Sequence, residues 1–347
     1  MEKWYEAVTE TKGNNYISSR VRLARNWNEY PFPSKLDTQK AAELVGSLQY
    51  GLSDIDSVEG NMFITSTLDR MKETEKLALK ERRILNKAMC ATKDPVGLMM
   101  SEKEDVSIIL NGDDHIRLQL LAPGLDIMNL WNRADKFDDY INSRFKYAFD
   151  EKYGYLTSFP TNVGTGMRAN IVVHLPMLTL RKQYAGLVNS MARFGLNIKG
   201  VYGQGRDNFG DLYDISNVNT LGVSEKEILE LVTKAAIQLN DEENAARQIG
   251  VKTYRNARTD EAYKSYGVLK YARKLTLKDG LVYLSHLMTG VTDELISFTT
   301  PCSIYSMMLG IQPANIMKNA DHPLDKEEID IKRAEYIRNK LPEIKEA

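Results

Sequence analysis

Strand-like patterns recur through the first 245 or so residues of this chain and nearly vanish afterwards. The β-rich segments are NYISSRVRLAR, NMFITSTL, VSIILNGDDHIRLQLL, ANIVVHLPML, NIKGVYGQG and GDLYDISN, and amphipathic stretches such as LDRMKETEKLALKERRILNKAM and NLWNRADKFDDYINSRFKYAF lie between them. Their order is not a regular βαβα repeat. We therefore predict an α+β fold with an antiparallel sheet flanked by helices.

The remainder of the chain predicts helices. SEKEILELVTKAAIQLNDEENAARQ opens with a capping box, Ser224 and Glu227, and predicts one long helix. Helical patterns continue as far as KEEIDIKRAEYIRNKL near the C-terminus. We predict a larger domain over residues 1–246 and a smaller all-helical domain over residues 247–347.

Composition excludes several classes of protein. With 46 basic and 47 acidic side chains, the net charge of −1 gives no general reason to expect nucleic acid or an anionic membrane as a partner. Cys90 and Cys302 are too few for a disulfide framework or a cysteine-rich zinc site, and we predict no protein-held metal. The N-terminus lacks a signal-peptide core, and no apolar run would span a bilayer. A soluble, cytoplasmic protein is expected, in which any phosphate site depends on local clusters of arginine.

One such cluster is SFPTNVGTGMRAN, which places Gly164 and Gly166 beside Arg168. Backbone freedom next to a fixed positive charge is typical of an anion site, above all a phosphate site. The stretch matches neither GxxxxGK[ST] nor GxGxxG. An ordinary loop with both glycines at positive φ explains it equally well.

A second cluster is ISSRVRLARN. As a strand it places Arg20 and Arg22 on one face and Val21 and Leu23 on the other. Two guanidinium groups on one face suit bidentate contact with phosphate oxygens. The alternative is an exposed strand face with solvated arginines.

In VSIILNGDDHIRLQLL the Asn-Gly pair at 111–112 predicts a hairpin. The returning strand alternates, with Arg117 on its polar face and Leu118 on its apolar face. Asp113 and Asp114 at the tip are either catalytic carboxylates or ordinary turn residues. The glycine-rich stretch NIKGVYGQGRDNFGDLYDISN is either a loop that closes over a substrate or a plain connection.

Taken in order, SSRVRLARN, NGDDHIRLQ, FPTNVGTGMRA and GVYGQG…YDISN resemble the motifs of the phosphagen (guanidino) kinase family, and most closely its bacterial protein-arginine kinase branch. Four co-linear motifs are far more specific than any one of them. The resemblance covers essentially the whole chain, including its helical C-terminal part.

The resemblance implies an ATP site, with Mg²⁺ carried on the nucleotide phosphates rather than in a protein cage. The residues that it assigns to this site are Ser18, Ser19, Arg20, Val21, Arg22, Arg117, Arg168, Ala169, Asn170, Ile171, Val172, Lys199, Gly200, Val201, Tyr202, Gly203 and Gln204. At position 199 the family has arginine instead of lysine.

Phosphoryl transfer to a guanidinium requires a carboxylate that orients the acceptor and takes a proton. The family uses acidic residues in a NEED turn and a YGEG loop. Here the turn carries Gly112 and Asp113, the loop carries Gln204, and Phe159 replaces the family's cysteine. Asp113 and Gln204 are therefore the catalytic candidates, and the lost charges predict slower transfer.

The branch also reads phosphoarginine through an RDxxRA motif. This chain has IDIKRA, in which Asp330 and Arg333 remain, and a helix-surface ion pair is the alternative interpretation. The resemblance implies phosphorylation of exposed arginines in protein substrates, with a role in protein degradation or the stress response. It also implies an activator protein and a protease chaperone as partners, and it leaves a homodimer open. The rival hypothesis is a weakened paralogue that binds ATP or phosphoarginine proteins as a regulator.

Overall fold

The computed structural model describes residues 2–181, 184–203 and 207–345. The strands are β1 (Tyr16–Arg25), β2 (Phe63–Thr67), β3 (Gly97–Ser101), β4 (Val106–Leu110), β5 (Ile116–Pro123), β6 (Phe149–Asp150), β7 (Gly154–Tyr155), β8 (Met167–His174), β9 (Leu196–Gly200) and β10 (Leu212–Asn217). Eight of them form one sheet in the order β2-β3-β4-β5-β1-β8-β10-β9, and β6 pairs with β7. Every neighbouring pair is antiparallel, which confirms the predicted sheet.

The helices lie around this sheet and make up the C-terminal part. They are α1 (Thr38–Gly51), α2 (Glu73–Glu81), α3 (Lys87–Ala91), α4 (Ile127–Arg144), α5 (Pro176–Leu180), α6 (Tyr184–Ala192), α7 (Glu225–Tyr271), α8 (Leu277–Thr292), α9 (Ile304–Gly310), α10 (Pro313–Lys318) and α11 (Lys326–Lys340). Among the described residues, none of these helices is both long and apolar enough to cross a membrane.

One face of the sheet forms the main hydrophobic core. Val21 and Leu23 of β1 are fully buried on this face, together with Leu118 of β5 and Ile171 of β8. Apolar side chains of α1, α4 and α7 cover them, for example Phe137 in α4. The alternation predicted for β1 and β5 is therefore confirmed, because their odd- and even-numbered residues face different surroundings.

The opposite face is apolar at its two ends and polar between them. At one end Leu121 and Val172 pack with α8 to α11 and with Trp4 of the N-terminal segment in a second core. At the other end Ile109 packs with the α2–α3 segment in a third, smaller core. The polar middle of this face is left for a site.

Helix α7 begins at the predicted capping box, where Ser224 Oγ accepts from Glu227 N and the Glu227 carboxylate accepts from Ser224 N. It then runs through residue 246 as far as Tyr271, with non-helical backbone at Tyr254. The predicted domain boundary thus falls inside a helix that takes part in both large cores.

Three local features differ from the sequence pattern. Strand β3, GLMMS, carries neither alternation nor β-branched residues, and its pairing with β2 and β4 fixes it in place. The 68–89 segment is broken into two short helices around Arg83, whose φ is 68°. The hairpin has a five-residue connection, closed by a bond from Asn111 N to His115 O of 2.8 Å.

A buried carboxyl on α7 generates a test of stability against pH. Glu243 is fully buried and accepts hydrogen bonds of 3.0 Å from the backbone N–H groups of Met177 and Leu178. Burial raises the pKa of Glu243 to about 7, and these hydrogen bonds only partly oppose the shift. Between the unfolded and folded pKa values the native state binds more protons, so stability falls as pH rises through this window.

We predict that Glu243→Gln removes this dependence. Relative to wild type, the free energy of unfolding of the variant should rise by on the order of 2–3 kcal/mol between about pH 5 and about pH 8. Chemical denaturation at both pH values measures it, with Glu230→Gln as the control, because Glu230 is exposed on the same helix. Parallel pH curves for Glu243→Gln and wild type would contradict the assignment.

Candidate active site

A cleft of about 800 Å³ occupies the polar middle of the second sheet face. Seven basic side chains and one acidic side chain line it: Arg20, Arg22, Lys80, Arg83, Arg117, Lys199, Lys278 and Glu81. In a chain whose net charge is −1, such clustering must be local, and it creates a site for a multiply charged anion.

The sheet register brings the strand arginines together. Arg22 on β1 lies opposite Gln119 on β5 and Arg168 on β8, and Arg20 lies opposite Asn170. Paired residues project to the same face of a sheet, so side chains from three strands converge. Arg168 stands one strand away from Arg22, outside the cleft lining, where its Nη1 donates to Asn217 O at 2.7 Å.

A buried carboxylate, Asp214 on β10, holds this cluster in place. It has no exposed surface, accepts from Asn170 Nδ2 at 2.6 Å and lies 3.6 Å from Arg20 Nη2. Arg83 makes a direct ion pair with the same carboxylate. Burial opposes the charge of Asp214, but the attraction of Arg83 and Arg20 outweighs it and lowers the pKa of Asp214.

Asp214 compensates the positive charge of the cleft only in part. Burial is the main cause that lowers the pKa of Arg20, Arg22 and Arg117, and repulsion from neighbouring arginines adds to it. A guanidinium nevertheless stays charged at neutral pH. The protein therefore keeps desolvated positive charge close together, a cost that a bound polyphosphate would relieve.

Arg83 is a residue that sequence reasoning missed. It follows α2 in KERRILN, where a basic residue on an amphipathic stretch looks like helix surface. Its positive φ ends the helix and turns the side chain toward Asp214. No local pattern in the sequence predicts this contact, because Asp214 lies 131 residues further along the chain.

The helical C-terminal part forms one wall of the cleft. Leu277, Lys278 and Leu281 of α8 line it, and Lys278 Nζ lies 4.9 Å from the centre of the Phe209 ring. Every residue predicted to contact nucleotide lies within 1–246, so the contribution of α8 was not predicted.

The same part of the chain contacts the segment that carries Arg83. Glu81 accepts hydrogen bonds from Ala314 N and Asn315 N, each of 2.9 Å, at the start of α10. Arg82 Nη1 donates to Asn315 Oδ1 at 2.7 Å. The position of Arg83 is therefore fixed from both sides, by Asp214 in the sheet and by α10.

Asp113 is connected to this cleft through a hydrogen bond. It accepts from Asn86 Nδ2 at 3.1 Å, and Asn86 itself lines the cleft. Its charge favours the charged forms of Arg22 and Arg117. Asp113 also lines a neighbouring cavity of about 350 Å³, together with Phe159.

Asp114 has a different role from its neighbour. It is buried and accepts from Asn26 Nδ2 and Ser158 N, both at 2.7 Å. These bonds fix the hairpin loop against two other segments. Of the two carboxylates at the hairpin tip, Asp114 is structural and Asp113 lines the neighbouring cavity.

The glycines of SFPTNVGTGMRAN are required by packing within the protein. Gly164 has φ 110°, and a Cβ there would lie 2.1 Å from Thr220 O. Gly166 has φ 60°, and a Cβ would lie 2.6 Å from Ala24 O. The ordinary-loop interpretation therefore accounts for both glycines, while Arg168 remains beside Arg22.

The other residues assigned to nucleotide lie in three settings. Lining the cleft are Lys199, Gly200, Val201 and Tyr202, in addition to the arginines already described. Buried within the sheet and its cores are Ser18, Ser19, Val21, Ala169, Asn170, Ile171 and Val172. Gly203 follows Tyr202 and packs against Asp207 O, and Gln204 lies outside the described residues.

Asp330 and Arg333 on α11 form a buried ion pair rather than one on the helix surface. Arg333 also donates to Ile311 O at 2.9 Å and to Leu275 O at 2.8 Å. The pair thus joins α11 to the segments next to α8 and α9. Binding of phosphoarginine by Asp330 and Arg333 stays a prediction.

An arginine-lined cleft next to a cavity that carries a carboxylate is an arrangement that suits a phosphotransferase, with an anionic donor in the cleft and a proton acceptor beside it. Residues 53–246 match the family described as ATP:guanido phosphotransferase, C-terminal catalytic domain, and residues 255–347 match the Protein-arginine kinase McsB C-terminal domain. The chain belongs to the ATP:guanido phosphotransferase family.

Similar proteins cover nearly the whole chain. The protein-arginine kinase of Clostridium kluyveri is 34% identical over 98% of this chain and 99% of its own, and that of Bacillus subtilis is 34% identical over 94% and 89%. Lombricine kinase has a similar fold, with a TM-score of 0.59 and 22% identity over 69% of each chain. The duplicated taurocyamine kinase of Schistosoma mansoni gives a TM-score of 0.58 and 21% identity over 78% of this chain and 39% of its own.

The contribution of the C-terminal part generates a binding prediction. Lys278→Ala should weaken binding of Mg-ATP about three- to fivefold, because an exposed cation makes a partly screened contact with a phosphate. Titration calorimetry measures it, and Lys264→Ala, which removes an exposed cation from α7, is the matched control. Equal affinities for Lys278→Ala and wild type would exclude Lys278 from the nucleotide site.

Proposed function

We propose that this chain is a protein-arginine kinase, which transfers the γ-phosphoryl group of ATP to the guanidinium of arginine residues in proteins. The observation that carries the proposal is the position of Asp113, which lines the neighbouring cavity and accepts a hydrogen bond from Asn86 of the arginine-lined cleft. A donor in the first and an acceptor in the second would meet at that carboxylate. The named relatives and the matching C-terminal domain favour a protein as the acceptor.

The cleft suits a nucleoside triphosphate that is bound as its Mg²⁺ complex. Arg20, Arg22 and Arg117 would contact phosphate oxygens and stabilise charge on the transferring group. Among the described residues of the lining, Glu81 is the single carboxylate, and it is already bonded to the start of α10. Mg²⁺ would therefore be held mainly by the phosphates, as it commonly is in such sites.

Asp113 would act as the general base. An acceptor nitrogen attacks the γ-phosphorus, the bond from that phosphorus to the ADP oxygen breaks, and Asp113 takes the proton that the nitrogen loses. The bond from Asn86 orients the carboxylate, which lies near the guanidinium groups of Arg22 and Arg117.

We predict that Asp113→Asn lowers phosphoryl transfer at least about 100-fold, because an amide cannot take the proton. The affinity for ATP should stay nearly unchanged. Acid-labile phosphate formed on an unfolded, arginine-rich protein measures transfer, and Asp139→Asn, an exposed change on α4, is the control. Wild-type turnover retained by Asp113→Asn would refute the base assignment.

The rival function, a regulator that binds ATP without turnover, rests on the lost charge at Gln204. We predict slow but measurable transfer by the wild type, and Gln204→Glu should raise kcat about tenfold, because it restores the carboxylate that the family has in this loop. The same acid-labile assay applies, with ATP affinity as the control. A wild type that binds ATP but transfers nothing would favour the regulator.

The finer features of this function are also proposals. Division into domains 1–246 and 247–347, a cytoplasmic location and a homodimer belong to the same interpretation. So do an activator protein, a protease chaperone and a role in degradation or the stress response. For Asp330 and Arg333, the support for phosphoarginine binding is the IDIKRA motif, and access would require their buried contacts to open.

A further inference from the structure

The cavity beside Asp113 combines apolar walls with hydrogen-bond acceptors. Leu36, Met89 and Phe159 supply apolar surface, and two carboxylates, Asp94 and Asp113, supply negative charge. Among the described residues that line it, there is no lysine, arginine or histidine. Its electrostatic character is therefore opposite to that of the cleft it adjoins.

The strand register explains why the two carboxylates share a cavity. Strands β3 and β4 pair through Gly97 and Leu110, and Asp94 and Asp113 lie equally far beyond that pair. Both chain segments leave the same end of the ladder. A bond of 2.7 Å from Asn111 Nδ2 to Pro95 O holds them side by side.

Two buried oxygens in the lining lack a donor. Asn111 is only 5% exposed, and within the described part of the chain no group donates to its Oδ1. The Oγ of Ser158 is likewise buried and unpaired among the described residues. Buried polar atoms are normally paired, so a donor-bearing ligand is a natural partner for both oxygens.

The turn carries Gly112 at the first position, where the family has an acidic residue. A Cβ on Gly112 would lie 2.6 Å from Met89 Cε and 3.1 Å from Ile109 Cγ2. A side chain there would displace Met89 from the cavity wall. The second negative charge of the cavity comes from another segment, because Asp94 lines it, is exposed to solvent and accepts from Thr92 Oγ1 at 3.2 Å.

We propose that Asp94 and Asn111 bind the acceptor guanidinium together with Asp113. This inference rests on the proposed kinase function and names the residues that select its acceptor. A guanidinium has five N–H donors and no acceptor, so it matches two carboxylates and a free amide oxygen. The aliphatic stem of the arginine packs against Met89 and Phe159. A lysine ammonium, with three donors on one nitrogen, fits this spread of acceptors less well.

The test measures binding of N-acetyl-arginine methylamide in the presence of Mg²⁺ and a non-hydrolysable ATP analogue. Asp94→Asn should weaken this binding about tenfold, because it removes one charge-assisted contact. The affinity for the ATP analogue should not change. Asp69→Asn removes an exposed carboxylate outside the cavity and is the matched control. The corresponding lysine compound should bind at least about tenfold more weakly than the arginine compound.

In the transfer assay, Asp94→Asn should raise the KM for the arginine acceptor more than it lowers kcat, since the contact exists before and during attack. Equal affinity of Asp94→Asn and wild type for the arginine compound would overturn the inference, as would the absence of saturable binding to wild type. If the arginine compound binds in an Asp94-dependent way but no phosphoryl transfer occurs, the proposed kinase function is refuted and this inference is not. Transfer with unchanged KM in Asp94→Asn would remove this inference alone.

Discussion

The ion pairs of Asp214 stabilise the arginine cluster on the polar middle of the second sheet face. The carboxylate is fully buried, and it neutralises guanidinium groups from β1 and from the segment after α2. Removing one partner of a buried pair leaves an uncompensated charge, which typically destabilises a protein by about 3–5 kcal/mol. Without Asp214, Arg20 and Arg83 would repel each other where phosphate must bind. Asp214 thus positions Arg20 and Arg83 in the cleft and offsets the repulsion between them.

The two faces of the sheet divide the tasks of the fold. One face is covered by helices and supplies a continuous core, which fixes the strand register. The other face is apolar only at its ends, where the C-terminal helices and the α2–α3 segment are attached. Both attachments contribute side chains to the polar strip between them, Lys278 from one and Arg83 from the other. The cleft lies between these two covers, which contact each other at its border, where α10 bonds to the end of α2.

Local patterns in the sequence predict the features that depend on neighbours along the chain. The alternation in β1 and β5, the capping box of Ser224 and the convergence of Arg20 and Arg22 on one face all follow from periodicity. Features that depend on distant partners could not be predicted in this way. Strand β3 is defined by its two neighbours, and Arg83 by a carboxylate in β10. The motif resemblance located the turn at Asp113, whereas the role of Asp114 emerged only from its buried hydrogen bonds.

The second core has a consequence for any shortened form of the protein. It is built from C-terminal helices, from Trp4 near the N-terminus and from Leu121, Val172 and Leu212 in three strands of the sheet. A chain that stopped near residue 246 would keep the sheet but leave these strand side chains uncovered, and it would also cut α7 in the middle. Exposed apolar surface of this kind promotes self-association. The truncated protein would therefore be prone to aggregation, and it would lack the side chains that α8 contributes to the cleft.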